Sequence, residues 1–220
     1  KLWDKLCWAG ASVGRSGLSV QAIGAFDVAL WDMKAKRAGL SLAKLLGTHR
    51  DSVRCYNTSG GFLHTPLDQL LVNAAASVAK GIGGIKLKVG QPDGALDVHR
   101  VEAVRKHLGD AVPIMVDANQ QWDRPTAQRM CRQFEEYNLI WIEEPLDCYD
   151  AEGHAALAQQ FDTPIATGEM LTSVFAMHSP AFARAIARGV EAYAVRCHLD
   201  PVKIVPESLI PIDEDGLGRL

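Results

Sequence analysis

Three acidic residues pose the first chemical question about this chain. Asp117, Glu143 and Glu169 each close a short apolar run (PIMVD, LIWIE and TPIATGE), and successive members stand 26 residues apart. If those runs are parallel strands joined by helices, their C-terminal ends converge on one mouth, where β/α barrels carry their active sites. A single strand-end carboxylate is usually a helix cap or a solvated charge, but three in equal steps ask for a shared purpose. Gathered together they would repel one another unless a hard divalent cation held them, and an all-oxygen ligand set suits Mg²⁺ better than zinc.

Lys86 and Lys88, in GIKLKVG, bring charge of the opposite sign. Alternate strand residues share a face, so both lysines point one way while Ile85, Leu87 and Val89 point the other. A barrel strand turns its apolar face to the surrounding helices, which places the lysines inside. Two ammonium groups there are costly unless they neutralise acids or do chemistry. One reading is a salt-bridge network with the three carboxylates; the other is a base whose pKa is lowered by mutual repulsion and desolvation.

The elements that must position these residues follow from periodicity and punctuation. Ile23, Phe26, Leu30 and Met33 recur at helical spacing, predicting an amphipathic helix from Ser19 to Gly39, with Asp32 and Lys36 paired at i,i+4 and a short helix over Ser41 to Leu46 after it. From Val53 the texture becomes strands alternating with helices. Strands are expected over 53–57, 84–89, 113–117, 139–143 and 163–169. Helices are expected from Thr65 as N-cap and Pro66 at the first helical position to Gly81, over 95–109, after a cap at Asp123, and from Ala151 to Phe161. A helix over 180–189 and a strand over 191–197 come later, in weaker rhythm. Such alternation signals parallel βαβ units and a (β/α) barrel. A full eight-stranded barrel takes about 250 residues. Only 168 lie from Val53 to Leu220, so at most six or seven units fit.

Composition narrows the function classes. The 220 residues carry a net charge of −3, with 23 Lys+Arg against 26 Asp+Glu, which offers phosphate backbones and anionic membranes nothing to recognise. Hydrophobic residues at 48% and charged residues at 22% match a globular chain with a real core, and no apolar run approaches a membrane span. The cysteines, Cys7, Cys55, Cys131, Cys148 and Cys197, are odd in number and form no CxxC. They read as reduced thiols of a cytoplasmic protein rather than a disulfide framework or a zinc site.

The motifs KLK, MVDANQQW, WIEEPL and IATGEM, in that order, resemble the mandelate racemase branch of the enolase superfamily. AIGAFDVALWDMKAKRAGLSLAKLLG is similar to the end of its helical capping domain, and RCYNTSGGFLHTPLDQLL with GIGGIKLKVGQP resembles its acid-sugar dehydratases of the L-talarate/galactarate group. The resemblance implies an α/β fold: an incomplete (β/α) barrel of the enolase superfamily type with part of a helical capping domain. It implies that Asp117, Glu143 and Glu169 are Mg²⁺ ligands, that Asn119 and Glu144 stand in supporting or substrate-binding positions, and that Lys88 is the general base. Lys86 then sits against the substrate carboxylate and tunes its neighbour. In such enzymes the base removes the proton α to a carboxylate, the enediolate charge is stabilised by Mg²⁺ and the lysine, and loss of the β-hydroxyl completes dehydration.

The pattern breaks in the C-terminal part. The family carries an Asp and a His on later strands, and neither is recognisable: Val174 stands where VFAM matches the family's HFAM, leaving His178 and His198 as the available histidines. PIDEDGLGRL resembles the family's return to the capping domain, while the sheet-bearing opening of that domain does not precede Lys1. The expectation is a shortened or internally deleted member: capping-domain helices at 1–50, partial barrel at 51–205 and the return at 206–220. Its function is expected to be that of an Mg²⁺-dependent acid-sugar dehydratase, a carbon–oxygen lyase. The alternatives are a racemase or epimerase of the same branch, or an impaired remnant acting as a binding or structural module. The expected partners are an acid-sugar substrate and further copies of the chain in a homo-oligomer, with no nucleic acid and no membrane.

Overall fold

The computed structural model describes residues 2–48, 52, 54–58 and 60–172. The helix expected over 180–189, the strand over 191–197, the return segment at 206–220, Cys197, and the positions Val174, His178 and His198 lie outside the described residues. The described residues divide into a helical unit that runs to Arg54 and also takes in residues 169–172, and a sheet unit running from Cys55 to Gly168.

The helical unit holds α1 (Leu2–Ala9), α2 (Leu18–Ala38) and α3 (Leu42–Leu46). Helix α2 stops where Gly39 turns left-handed at φ 63°, its N–H donating to the Ala35 and Lys36 carbonyls, a conformation that costs glycine no Cβ clash. Lys36 donates to Asp32 at 2.7 Å on the exposed face, and the Ser41 hydroxyl caps α3 by accepting from the Lys44 N–H. The apolar stripe of α2 is less covered than its period suggests. Only Ala35 is buried, and Phe26 is 56% exposed. Helix α1 carried no cap or stop signal strong enough to be expected from sequence.

The sheet unit runs α4 (Leu67–Ala79), β1 (Ile85–Lys88), α5 (Gly94–Leu108), β2 (Ile114–Asp117), α6 (Arg124–Phe134), β3 (Ile142–Glu143), α7 (Ala151–Gln160) and β4 (Ile165–Ala166). The four strands are parallel and pair in chain order, as consecutive βαβ units require. Leu87, Ile114, Val116 and Ile142 from the sheet pack with Val101, Val104 and Phe134 from the helices in one continuous buried cluster. Burying a side chain such as Phe134 contributes roughly 2–3 kcal/mol. Asp123 and Asp150 cap α6 and α7, their carboxylates accepting from the Thr126 and Gly153 N–H groups.

Some expectations need correction. Residues 54–57 make no full strand: the run contributes one parallel bridge, Asn57 to Ile85, before the chain diverges and returns at Gly61, whose carbonyl accepts from the Lys88 N–H at 2.7 Å. A Cβ on Gly61 would sit 2.9 Å from the Lys86 carbonyl oxygen, so glycine is what admits this approach. Strands β3 and β4 are also shorter than LIWIE and TPIATGE suggest, although Trp141 and Glu144 still bond to neighbouring strands at either end of β3. Thr65 is not the cap of α4. Pro66 occupies that position without a side-chain bond, because the Thr65 carbonyl is held by Arg100 and the helix begins one residue later.

All four cysteines in the described residues, Cys7, Cys55, Cys131 and Cys148, are free thiols, and burial pushes Cys131 up to about 12. No helix among the described residues is long and apolar enough to cross a membrane.

Candidate active site

Strand register places the charged residues on one level. Lys88 on β1 pairs with Asp117 on β2, Asp117 pairs with Glu143 on β3, and Glu143 pairs with Ala166 on β4, so the row runs straight across the C-terminal edge of the sheet. Lys86 lies one layer lower, beside Met115. Glu169 follows β4 by three residues. Asp117, Glu143 and Glu169 each bring a carboxylate oxygen within 4.8 Å of the others, with Asp117 buried, Glu143 intermediate and Glu169 exposed.

Both lysines lie on the carboxylate side of β1. Lys86 Nζ donates to Glu143 Oε2 at 2.8 Å and lies 3.1 Å from Asp117 Oδ2; Lys88 Nζ reaches the same Asp117 oxygen at 2.5 Å. The carboxylates are therefore neutralised in part by the lysines themselves. Burial works to lower the Lys86 pKa, but the hydrogen bonds and charges of Glu143 and Asp117 outweigh it and raise the ammonium above the ordinary lysine value. At Lys86 two close carboxylates stabilise the cation more than burial penalises it. At Asp117 burial works upward, yet Lys88, the Asn119 N–H and Lys86 together hold the carboxyl below its ordinary range. The lysines differ in access. Lys88 keeps 24% of its side chain exposed against 8% for Lys86, so Lys88 is the one a bound molecule could reach.

The loops above the row are tightly built. The Asn119 N–H donates to Asp117 Oδ1 at 3.0 Å, and Glu144 is buried directly after Glu143. Between them Gln120 ties three groups: its N–H donates to the Glu144 carbonyl, its side-chain amide donates to Glu144 Oε2, and its Oε1 accepts from the Cys148 N–H. Asn119, Gln120 and Glu144 have φ of 44°, 66° and 40°. Left-handed backbone at a residue other than glycine costs on the order of 1–3 kcal/mol and persists only where surroundings enforce it. Three of the four such residues described are in these two loops; the fourth, Asn138, ends a turn elsewhere.

Helix α5 braces the mouth from behind. Asp97, fully buried, accepts from the Gly90 and Gln91 N–H groups at 2.7 and 2.9 Å, which fixes the loop following Lys88. Gly90 itself has φ 109°, and a Cβ there would lie 3.1 Å from the Ala118 carbonyl oxygen and closer still to Gln121. One turn on, Arg100 donates to the Thr65 and Phe62 carbonyls at 2.5 and 2.8 Å. Sequence reasoning missed Gln120, Asp97 and Arg100, because polar residues in a loop or a helix ordinarily face water. It also missed Trp141, although its place two residues before Glu143 on an alternating strand puts both on one face.

The donor set fits a hard divalent cation: three carboxylates, all oxygen, within mutual reach. Comparison with known proteins shows the family and the fold. Residues 69–198 match the enolase C-terminal domain-like family, residues 3–47 match the mandelate racemase / muconate lactonizing enzyme N-terminal domain, and the chain belongs to this family. Among particular relatives, it is 73% identical over 173 residues to an L-talarate/galactarate dehydratase of Salmonella typhimurium, a match covering 79% of this chain and 44% of that protein. Against the crystal structure of an L-talarate dehydratase from a Polaromonas species, complexed with Mg and L-glucarate, the TM-score is 0.78 at 82% identity, over 84% of this chain and 51% of the other. The Salmonella dehydratase liganded with Mg and L-lyxarohydroxamate gives a TM-score of 0.80 at 60% identity, over 89% and 54% of the two chains. The chain thus spans about half the length of the relatives it matches.

Proposed function

We propose that this chain carries the proton-abstracting half of an Mg²⁺-dependent acid-sugar dehydratase of the L-talarate/galactarate type. The observation that supports it most is the level row of Lys88, Asp117 and Glu143 with Lys86 beneath, a base placed beside an all-oxygen cation site. The relatives named above support this choice of substrate class.

In this reading Asp117, Glu143 and Glu169 hold Mg²⁺, which supplies Lewis-acid charge against a substrate carboxylate. Lys88, the more accessible of the two lysines, takes the α-proton. Lys86 stays charged between Glu143 and Asp117 and offers its ammonium to the negative charge that develops on the substrate carboxylate. Asn119 and Glu144, held by strained loops, keep the ligand-bearing strand ends in place. Dehydration then requires the β-hydroxyl to leave as water with a proton from a second group, and tautomerisation of the enol yields a 2-keto acid. The same reading assigns the chain to the cytoplasm as a homo-oligomer, in keeping with its free thiols and the apolar side chains that α2 leaves exposed.

The test is to incubate the purified chain with Mg²⁺ and galactarate or L-talarate, following 2-keto product and exchange of the α-proton in deuterated water. Product supports the dehydratase. Exchange with inversion but no product points to an epimerase of the same branch, and metal binding with neither points to an impaired remnant. Absence of Mg²⁺ binding refutes the site itself. Mass in solution tests the homo-oligomer.

A further inference from the structure

We propose that Trp141 is a positioning residue for the cation site, fixing the Glu143 carboxylate through its indole N–H; this rests on the metal-site reading above. Trp141 lies immediately before β3, and its carbonyl still accepts from the Val116 N–H, so the ladder continues through it. Alternation then points the indole to the same side as Glu143. Its Nε1–H donates to Glu143 Oε2 at 3.0 Å, the same oxygen that receives Lys86 Nζ at 2.8 Å. Two donors on Oε2 commit that oxygen to the protein and set the rotamer of the carboxylate, leaving Oε1 for the cation.

The indole is itself held. The Tyr56 ring meets it edge-on, with centroids 5.3 Å apart at 79°, and Lys86 Nζ stands 5.8 Å from the Tyr56 ring centroid. Tyr56, Lys86, Trp141 and Glu143 therefore form a closed ring of contacts in which each member restrains the next. Tyr56 belongs to the run whose single bridge to β1 anchors it beside Lys86. Groups that orient a metal ligand from behind commonly contribute about 10–100-fold in metal affinity. Phenylalanine at position 141 would keep an aromatic ring beside Tyr56 while removing the donor, together with the contacts of the indole's second ring.

The experiment is a calorimetric titration of the unmodified chain, Trp141→Phe and Trp31→Phe with Mg²⁺ alone, beside ¹H–¹⁵N spectra of the indole N–H groups and thermal midpoints. Trp31, in the helical unit against Lys34, serves as the control. Expected are a loss of about tenfold or more in Mg²⁺ affinity for Trp141→Phe with little change in midpoint, none for Trp31→Phe, and movement of the Trp141 indole signal when Mg²⁺ is added to the unmodified chain. If the unmodified chain does not bind Mg²⁺, the metal-site reading falls and this inference falls with it. If the unmodified chain binds but Trp141→Phe binds within about twofold of it, or the Trp141 indole signal stays still, the inference alone is overturned. Should Trp141→Phe fail to fold, the indole signal of the unmodified chain decides, assigned by replacing the other tryptophans.

Discussion

The two edges of the parallel sheet are built to different ends. At the C-terminal edge charges are packed against one another, backbone is forced left-handed at Asn119, Gln120 and Glu144, and carboxylates collect within reach of one ion. At the N-terminal edge one buried residue, Arg105, does most of the polar work. Its guanidinium donates to the carbonyls of Tyr137, Gly109, Val112 and Asn138 at 2.8–3.1 Å, and burial holds its pKa below the ordinary arginine value. Those carbonyls precede β2 and β3 or follow α5, where a chain reversing direction leaves acceptors without ladder partners. The mouth spends stability on strain and like charge, while the floor recovers it by satisfying backbone; Asp97 and Arg105, on one helix, serve opposite edges.

That contrast can be broken in graded steps. The largest effect is expected for Lys88→Met, which should lower α-proton exchange by about 10³-fold or more while leaving the thermal midpoint nearly unchanged, since a positioned acid or base typically contributes 10²–10⁴-fold. Exchange monitored by mass spectrometry in deuterated water checks it, and retained exchange would remove Lys88 from the base role. Next comes Arg105→Met, expected to cost about 3 kcal/mol of stability by leaving buried carbonyls unsatisfied. Urea denaturation measures it; a loss below about 1 kcal/mol would mean that water replaces the guanidinium and the floor is not what holds the sheet.

Gln120→Ala should cost about 1–2 kcal/mol, by removing side-chain bonds that join the loops after β2 and β3. Because the residue is at the mouth, its activity loss should exceed its stability loss, and equal losses would make it merely structural. The smallest effect depends on pH. His154, buried on the first turn of α7, has its pKa lowered chiefly by burial, so the unfolded chain binds a proton more readily than the folded one. Its contribution to stability is complete above the ordinary histidine value and falls as pH drops below it toward the folded value. His154→Gln should flatten that acid slope in denaturation measured between pH 7 and 5, and an unchanged slope would assign it to other groups.

How far this could be read in advance follows the same division. Asp117, Glu143, Lys86 and Lys88 were legible because strand alternation and equal spacing are one-dimensional signals that parallel register preserves in space. The helices over 94–108 and 151–160 were legible through their periods and caps. Thr65 misled because its polar type suggested a cap, while its position gave the carbonyl to Arg100, 35 residues away. Phe26 and Met33 misled differently: amphipathic spacing reports that a helix has an apolar face, not that anything described covers it. The raised pKa of Lys86 depends on distances to Glu143 and Asp117 that no spacing rule supplies.

The level row has a consequence for how such a chain can be edited. Lys88, Asp117 and Glu143 share a height only because each strand keeps its count of residues relative to its neighbours. A substitution changes one side chain, but a single-residue insertion directly after Gly84, with the preceding chain kept in place, would rotate Lys86 and Lys88 toward the helices and turn Ile85 and Leu87 inward. Insertions beyond Gln91, in the connections outside the ladder, leave the count intact. Tolerance to length change should therefore drop abruptly at the strand boundaries, so that an insertion scan would trace the outline of the site before any substrate is known.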